Sequence, residues 1–131
     1  MSLETASIGA ITLLVEDLIA TKTFYHDVFG KDVMWEDEVS AGFRFGDTII
    51  NLLRVDQGPG LIGPARVAGP EVGARMQLTI WVEDTDATIA ELQARGVELI
   101  NGPIDRAWGQ RTAAFADPAG HIWEIAQSIT V

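Results

Sequence analysis

Apolar and polar residues alternate with a period of two at the start of each half of the chain. Residues 8–15 and 76–82 show this alternation, which predicts two half-buried β-strands. A helical period follows each strand, over residues 19–29 and 86–95, and a glycine comes directly after both segments. Asp17 is the predicted N-cap of the first segment, and Asp84 or Thr85 that of the second. The pattern therefore predicts a strand followed by a helix, twice.

More strand patterns follow each predicted helix. In the first half they cover residues 33–39, 42–45 and 48–55; in the second half they cover residues 97–100, 111–116 and 122–129. The stretch between the halves is rich in Gly and Pro and is predicted to be a linker or a loop over the site, residues 56–75. The resulting order is βαβββ twice. The predicted modules span about residues 8–55 and 76–129 of one α+β domain, residues 1–131.

The two halves also share short sequence motifs, which indicates a duplicated module. The shared motifs are Val15-Glu16-Asp17 and Val82-Glu83-Asp84, Ala20-Thr21 and Ala87-Thr88, and Phe45-Gly46-Asp47 and Phe115-Ala116-Asp117. The first two pairs keep the same internal spacing. A cleft between or within the modules is the predicted place for a functional site.

Composition narrows the possible functions. The 131 residues contain no cysteine, which excludes disulfides and thiolate chemistry and favours a cytoplasmic location. No apolar run is long enough to cross a membrane, and no signal peptide is predicted. The formal net charge of -10 argues against nucleic acid as a partner. That charge either attracts cationic small molecules or keeps the protein in solution.

Several segments carry a family resemblance. They are the helix end Phe24-Tyr25…Phe29-Gly30, the loop Trp108-Gly109, and the run from Asp117 to Ile125. With the duplicated βαβββ order, these segments resemble the vicinal oxygen chelate superfamily, which includes glyoxalase I, bleomycin-resistance proteins, fosfomycin-resistance enzymes and extradiol dioxygenases. The resemblance implies two tandem modules that form a cupped, partly open mixed β-barrel with helices on the outside. Pairing would bury more apolar surface, so a homodimer is expected.

The resemblance also implies where a catalytic metal would bind. Metal-dependent members of the superfamily use four side chains, usually His or Gln, Glu, His and Glu, on the first and fourth strands of each module. The equivalent positions here are Ala10, Asn51, Gln77 and Glu124. A methyl group cannot bind a metal, and only one carboxylate remains. No resident metal or other cofactor is therefore expected.

Without a metal, the barrel interior becomes a mostly apolar cavity with a few polar groups, which suits a small organic ligand. The predicted ligand-binding residues are Thr12, Asn51, Gln77, Thr79, Trp81, Trp108 and Arg111, with Glu124 as the candidate catalytic residue. Structural alternatives stay open for each. Asn51 and Gln77 could bond each other, Trp81 could fill the core, and Arg111 could pair with acidic groups.

Two functions remain in competition, and a regulatory or scaffold module with a vestigial cleft is a third alternative. The first is a metal-independent protein of the bleomycin-resistance type that binds a small cationic or aromatic molecule. The second is a lyase, isomerase or dioxygenase of the glyoxalase type, dependent on a metal or on Glu124 as a base. The retained Glu124 and Gln77 favour the enzyme, whereas Ala10 opposes a metal. The sequence identifies neither the ligand nor a reaction.

Overall fold

A computed structural model describes residues 3–130. The chain divides into two compact units, and the boundary along the chain lies between Val67 and Ala68. This boundary lies inside the predicted linker. The first unit contains β1 Ala10–Val15, α1 Leu18–Phe29, β2 Trp35–Glu36, β3 Ser40–Phe45, β4 Thr48–Arg54 and α2 Gly58–Ile62. The second contains β5 Gln77–Trp81, α3 Thr85–Ala94, β6 Asn101–Arg106, β7 Gln110–Ala116 and β8 Ile122–Ser128. Single 3-10 turns cover Leu3–Thr5, Val55–Gln57 and Pro70–Val72.

Each unit builds one four-stranded mixed sheet, in the orders β1-β4-β3-β2 and β5-β8-β7-β6. The first strand of each unit runs parallel to the last, and the other neighbours are antiparallel. The predicted α+β class and the duplicated βαβββ order are confirmed. Within the described residues, no helix is long and apolar enough to cross a membrane.

The repeated motifs form the start of each helix. The Asp17 carboxylate accepts a hydrogen bond from the backbone N–H of Ala20 at 3.0 Å, and Asp84 accepts one from Ala87 at 3.0 Å. The threonine that follows each alanine donates its hydroxyl to the carbonyl oxygen of the same aspartate. Both predicted N-caps are therefore confirmed, and they satisfy N–H groups that a helix start otherwise leaves unpaired.

The helix in each unit covers one face of its sheet. In the first unit, Tyr25 is fully buried and its ring centroid lies 5.6 Å from that of Phe43 on β3. Alternate residues of β1 and β4, such as Leu13 and Leu52, are buried on this face. In the second unit, buried Trp123 and Ile125 and the α3 residues Ile89 and Leu92 form the corresponding core, as the strand alternation predicts.

Two strand predictions are wrong, for identifiable reasons. The segment 33–39 forms a strand only at Trp35–Glu36, because the Asp37 carboxylate accepts hydrogen bonds from the backbone N–H of Val39 and the hydroxyl of Ser40 and makes a turn. The segment 97–100 is not a strand. Val97 is buried because its N–H returns to the carbonyl of Leu92 after left-handed Gly96, which closes α3 as a Schellman motif.

Candidate functional site

The strand register puts the predicted site residues on one face of each sheet. Thr12 lies beside Asn51 in the first sheet, and Thr79 lies beside Glu124 in the second. Both pairs face away from the helix of their unit, because their sequence neighbours form the helix-covered core. We call these surfaces the Asn51 face and the Glu124 face. In this register Asn51 and Glu124 lie at corresponding places in the two sheets.

On the Asn51 face, a hydroxyl and an amide form a polar pair. The Asn51 Nδ2 donates to Thr12 Oγ1 at 3.3 Å. The Asn51 Oδ1 is buried, and the described residues provide no hydrogen-bond donor for it. A buried carbonyl oxygen without a partner costs free energy, so it is an acceptor that a bound ligand would satisfy.

An indole ring lies next to this pair. Gly42 is the cross-strand partner of both Asn51 and Trp35, so all three project from the same face. A Cβ atom at Gly42 would lie only 2.4 Å from Trp35 Nε1. The missing side chain at Gly42 therefore makes room for the ring of Trp35, which stays 42% exposed. From the sequence alone Trp35 could face the cavity or a subunit interface, because its place depends on this three-strand register.

On the Glu124 face, a hydroxyl orients a carboxylate. Thr79 Oγ1 donates to Glu124 Oε1 at 2.9 Å. Within residues 3–130, no second hydrogen bond reaches the Glu124 carboxylate, so its other oxygen is a free acceptor. Gln77, two residues before Thr79, is exposed on the same face. This arrangement can accept a hydrogen bond, hold a cation or take up a proton from a ligand.

Trp81 provides an apolar surface beside the carboxylate. It lies two residues after Thr79 on the same face of β5, and 70% of its surface is exposed. Its neighbour on β8 is the small residue Ala126. The alternative in which Trp81 fills the core does not hold within the described residues. Because Ala126 is small, it leaves space beside the exposed indole of Trp81, and a flat ligand could stack against this ring.

The last two predicted binding residues, Trp108 and Arg111, lie in different places. Trp108 lies in the turn between β6 and β7, where it is 67% exposed and its Nε1 donates to Gln110 Oε1 at 3.2 Å. Arg111 points to the helix-covered side, because it is the cross-strand partner of Gln127, whose side chain binds the start of α3. There it forms ion pairs with Asp86 and Asp105 at 2.9 and 2.8 Å, and these raise its pKa. This geometry supports the alternative of charge pairing, not a ligand contact.

The donor chemistry at the four family metal positions does not suit a tightly held metal. Ala10 provides a methyl group, and Asn51 and Gln77 provide neutral amides. In the part of the chain that the structure describes, no three side chains of His, Cys, Asp or Glu come close enough to share a metal ion. Zinc, nickel and iron sites in proteins are built from imidazole, thiolate and carboxylate ligands.

Comparison with known proteins identifies the family. The family model of the Glyoxalase/Bleomycin resistance protein/Dioxygenase superfamily matches residues 7–125. The chain belongs to this superfamily. Its relatives include the uncharacterized protein YraH of Bacillus subtilis, which is 35% identical over 119 residues, or 88% of this chain and 93% of YraH.

Solved structures of the superfamily have the same fold. A glyoxalase/bleomycin resistance protein/dioxygenase from Nocardioides aligns with a TM-score of 0.84 at 25% identity, covering 95% of this chain and 84% of that one. TnmS3, an antibiotic binding protein from Streptomyces sp. CB03234, aligns with a TM-score of 0.71 at 25% identity, covering 94% and 96%. The same fold is therefore found in an antibiotic binding protein, and a shared fold does not decide the function of this chain.

Proposed function

We propose that this superfamily member is a binding protein for a small aromatic molecule that carries hydrogen-bond donors, and that it needs no catalytic metal. The observation that carries the proposal is the Glu124 face. An oriented carboxylate with a free oxygen lies there beside the exposed ring of Trp81. The carboxylate accepts a donor or cationic group of the ligand, and the indole stacks on its ring.

Two further observations support binding. The Asn51 face offers a buried acceptor without a partner, next to the ring of Trp35. TnmS3 shows that a relative at 25% identity is an antibiotic binding protein. Apolar rings with a few unpaired polar atoms are the usual lining of sites for small molecules. The absence of cysteine supports a cytoplasmic location for this activity.

The test is isothermal titration calorimetry against planar aromatic compounds, their cationic amine derivatives and aromatic antibiotics. Glu124→Gln keeps the size of the side chain and removes its charge, so the affinity of amine-bearing ligands should fall about tenfold or more. Glu91→Gln is the matched control, because it removes the same charge from α3, where Glu91 pairs only with the surface residue Arg95 among the described contacts. Equal affinities of the two variants, or no binding by any compound, would refute the proposal.

A metal-independent enzyme is the second candidate, and the Thr79–Glu124 hydrogen bond favours it. A carboxylate fixed by a hydroxyl can act as a base that removes a proton next to a ligand carbonyl, as in a lyase or isomerase. Mass spectrometry of ligands recovered after incubation separates the two candidates. A product that wild type forms and Glu124→Gln does not would make the protein an enzyme; unchanged ligand supports simple binding.

We further propose that the protein works as a homodimer. Large apolar side chains are exposed near the start of both sheets, including Ile8 at 67% and Met76 at 44%. Pairing with a second copy through these segments would bury the two side chains. Light scattering coupled to size-exclusion chromatography should give twice the chain mass of 14.2 kDa, and a monomer at micromolar concentration would refute this proposal.

A further inference from the structure

One arginine on the Glu124 face has no role in the function proposed above. Arg106 ends β6 opposite Gln110, and this register places it on the Glu124 face. Its Nε donates to the hydroxyl of Thr112 at 3.0 Å, and Thr112 is fully buried. Its guanidinium carbon lies 5.6 Å from the ring centroid of Trp108. Two contacts therefore hold the guanidinium group, one through Nε and one through a ring face.

Among the described residues, Arg106 keeps its charge unpaired although the chain carries 19 acidic residues. Acidic groups pair instead with arginines elsewhere: Arg54 pairs with Asp56, Arg95 with Glu91, and Arg111 with two aspartates. In residues 3–130, no Asp or Glu pairs with Arg106, and the described residues give its two Nη groups no hydrogen-bond acceptor. The outer edge of the guanidinium group is therefore an unpaired fork of N–H donors.

Such a fork is the preferred partner of planar anions. Two parallel N–H groups match the two oxygens of a carboxylate or phosphate, and the hydrogen bonds are charge-assisted. An arginine whose Nε is already bonded loses less conformational entropy when the anion arrives, since its orientation is set in advance. The half-buried position of Arg106 also reduces competition from water.

The register places this fork within one small-molecule length of Glu124 and Trp81. Thr112, which Arg106 contacts, is the cross-strand partner of Ala126, and Ala126 is the partner of Trp81. Two strand spacings separate Thr112 from Trp81, about 10 Å. Glu124 is a diagonal neighbour of Thr112, about 7–8 Å away between Cβ atoms. The small side chain of Ala126 forms the floor between them.

We propose that Arg106 is the anion-binding residue of this site, and that the ligand is an aromatic molecule with a carboxylate or phosphate group. This inference rests on the proposed function for the aromatic part of the ligand. The anionic group binds the Arg106 fork while the ring lies against Trp81. Glu124 then selects ligands that also carry a donor, because it repels a second anionic group.

Nuclear magnetic resonance titration with a matched pair of probes tests the proposal. Naphthalene-2-carboxylate and naphthalene-2-carboxamide have the same ring and differ in charge. The arginine Nε–H and tryptophan Nε1–H signals report separately on Arg106 and Trp81. The carboxylate should shift both signals in a saturable way and bind about 10- to 100-fold more tightly than the amide. Arg106→Gln should abolish this preference, whereas Arg95→Gln, which removes the same charge from α3, should keep it.

The outcomes separate the two proposals. If the carboxylate and the amide bind equally and shift only Trp81, the anion site is refuted and the aromatic site stands. If the carboxylate shifts Arg106 but neither probe shifts Trp81, the anion site stands and the proposed aromatic site fails. If neither signal moves at millimolar probe, both fail. Arg106→Lys gives a further check, because it keeps the charge without the fork and should restore only part of the preference.

Discussion

Replacement of Asp117 by alanine should destabilise the protein far more than the same change at Asp47. The two aspartates occupy corresponding turns of the repeat, Phe45-Gly46-Asp47 and Phe115-Ala116-Asp117. Asp117 is buried, and its carboxylate accepts hydrogen bonds from the backbone N–H groups of Ala119 at 2.9 Å and His121 at 3.0 Å. Asp47 is exposed, and the described residues form no hydrogen bond with its side chain.

The magnitude follows from these two bonds. A hydrogen bond to a charged group contributes about 1.5–3 kcal/mol, and its removal leaves partly buried donors unpaired. Because Ala119 and His121 are only half-buried, water restores part of the loss, and we expect Asp117→Ala to cost about 2–4 kcal/mol. The unfolding entropy of a chain of this length is about 0.28 kcal/mol/K, so the melting temperature should fall by about 7–15 °C.

Thermal unfolding followed by circular dichroism measures the effect. Asp117→Asn keeps an acceptor oxygen in the same place without the charge, so it should recover part of the stability. Asp47→Ala should lie within about 0.5 kcal/mol of wild type, as surface substitutions usually do. Equal melting temperatures for Asp117→Ala and Asp47→Ala would refute the reasoning. The turn leads directly into β8, so its loss should also weaken ligand binding at Glu124.

Three further predictions concern other parts of the chain. Gly42→Ala should displace the ring of Trp35, cost about 1–2 kcal/mol and red-shift tryptophan fluorescence, whereas Gly9→Ala, with nothing within 4 Å of its added Cβ, should do neither. The Asp37 pKa lies below its ordinary value of 3.8, because the Val39 N–H and then the Ser40 hydroxyl bind the carboxylate. The free energy of unfolding, measured by chemical denaturation, should therefore be larger for wild type than for Asp37→Asn above about pH 5. This difference should disappear as the pH is lowered below about pH 4. Chelator-treated protein should show no saturable rise in melting temperature with Mn²⁺, Fe²⁺, Ni²⁺ or Zn²⁺; a rise that Glu124→Ala removes would contradict the donor argument.

The parts of the fold that sequence could predict are those in which one residue type does one local task. Each repeated aspartate caps a helix through its own side chain, and the Ala-Thr pair behind it completes the same first turn. The buried faces of the strands were predictable for the same reason, because alternation of apolar and polar residues is a property of one strand and does not depend on which strand pairs with it.

The edge strand β6, residues Asn101–Arg106, escaped prediction because it lacks that local signature. The strand β6 contains Pro103, and the pairing register shifts between Asn101 and Ile104. Proline is tolerated in such a strand because one side of an edge strand needs no ladder hydrogen bonds. The apolar residue Val97 led to the prediction of a strand at residues 97–100, but Val97 is buried because it belongs to the C-terminal end of α3.

Residues whose role depends on pairing between strands were missed for a related reason. Trp35 becomes a site residue only because Gly42 lies opposite it and leaves space for the indole. Arg106 joins the Glu124 face only through its register with Gln110, which follows the bulge in β6. The sequence alone does not show either strand register. From the sequence, Trp35 and Arg106 are therefore as consistent with a surface role as with a place in the site.

The two modules carry different groups at one corresponding place in their sheets, Asn51 in the first and Glu124 in the second, and this difference constrains the ligand. Thr12 and Thr79 provide a hydroxyl at the same place in each sheet, but one is bonded to an amide and the other to a carboxylate. In both cases the described residues leave an oxygen that can accept another hydrogen bond. Each of these two oxygens is satisfied by a ligand group that donates a hydrogen bond. Since Arg106 provides donors on the Glu124 face, a ligand that satisfies that face carries an acceptor at one end and a donor at the other.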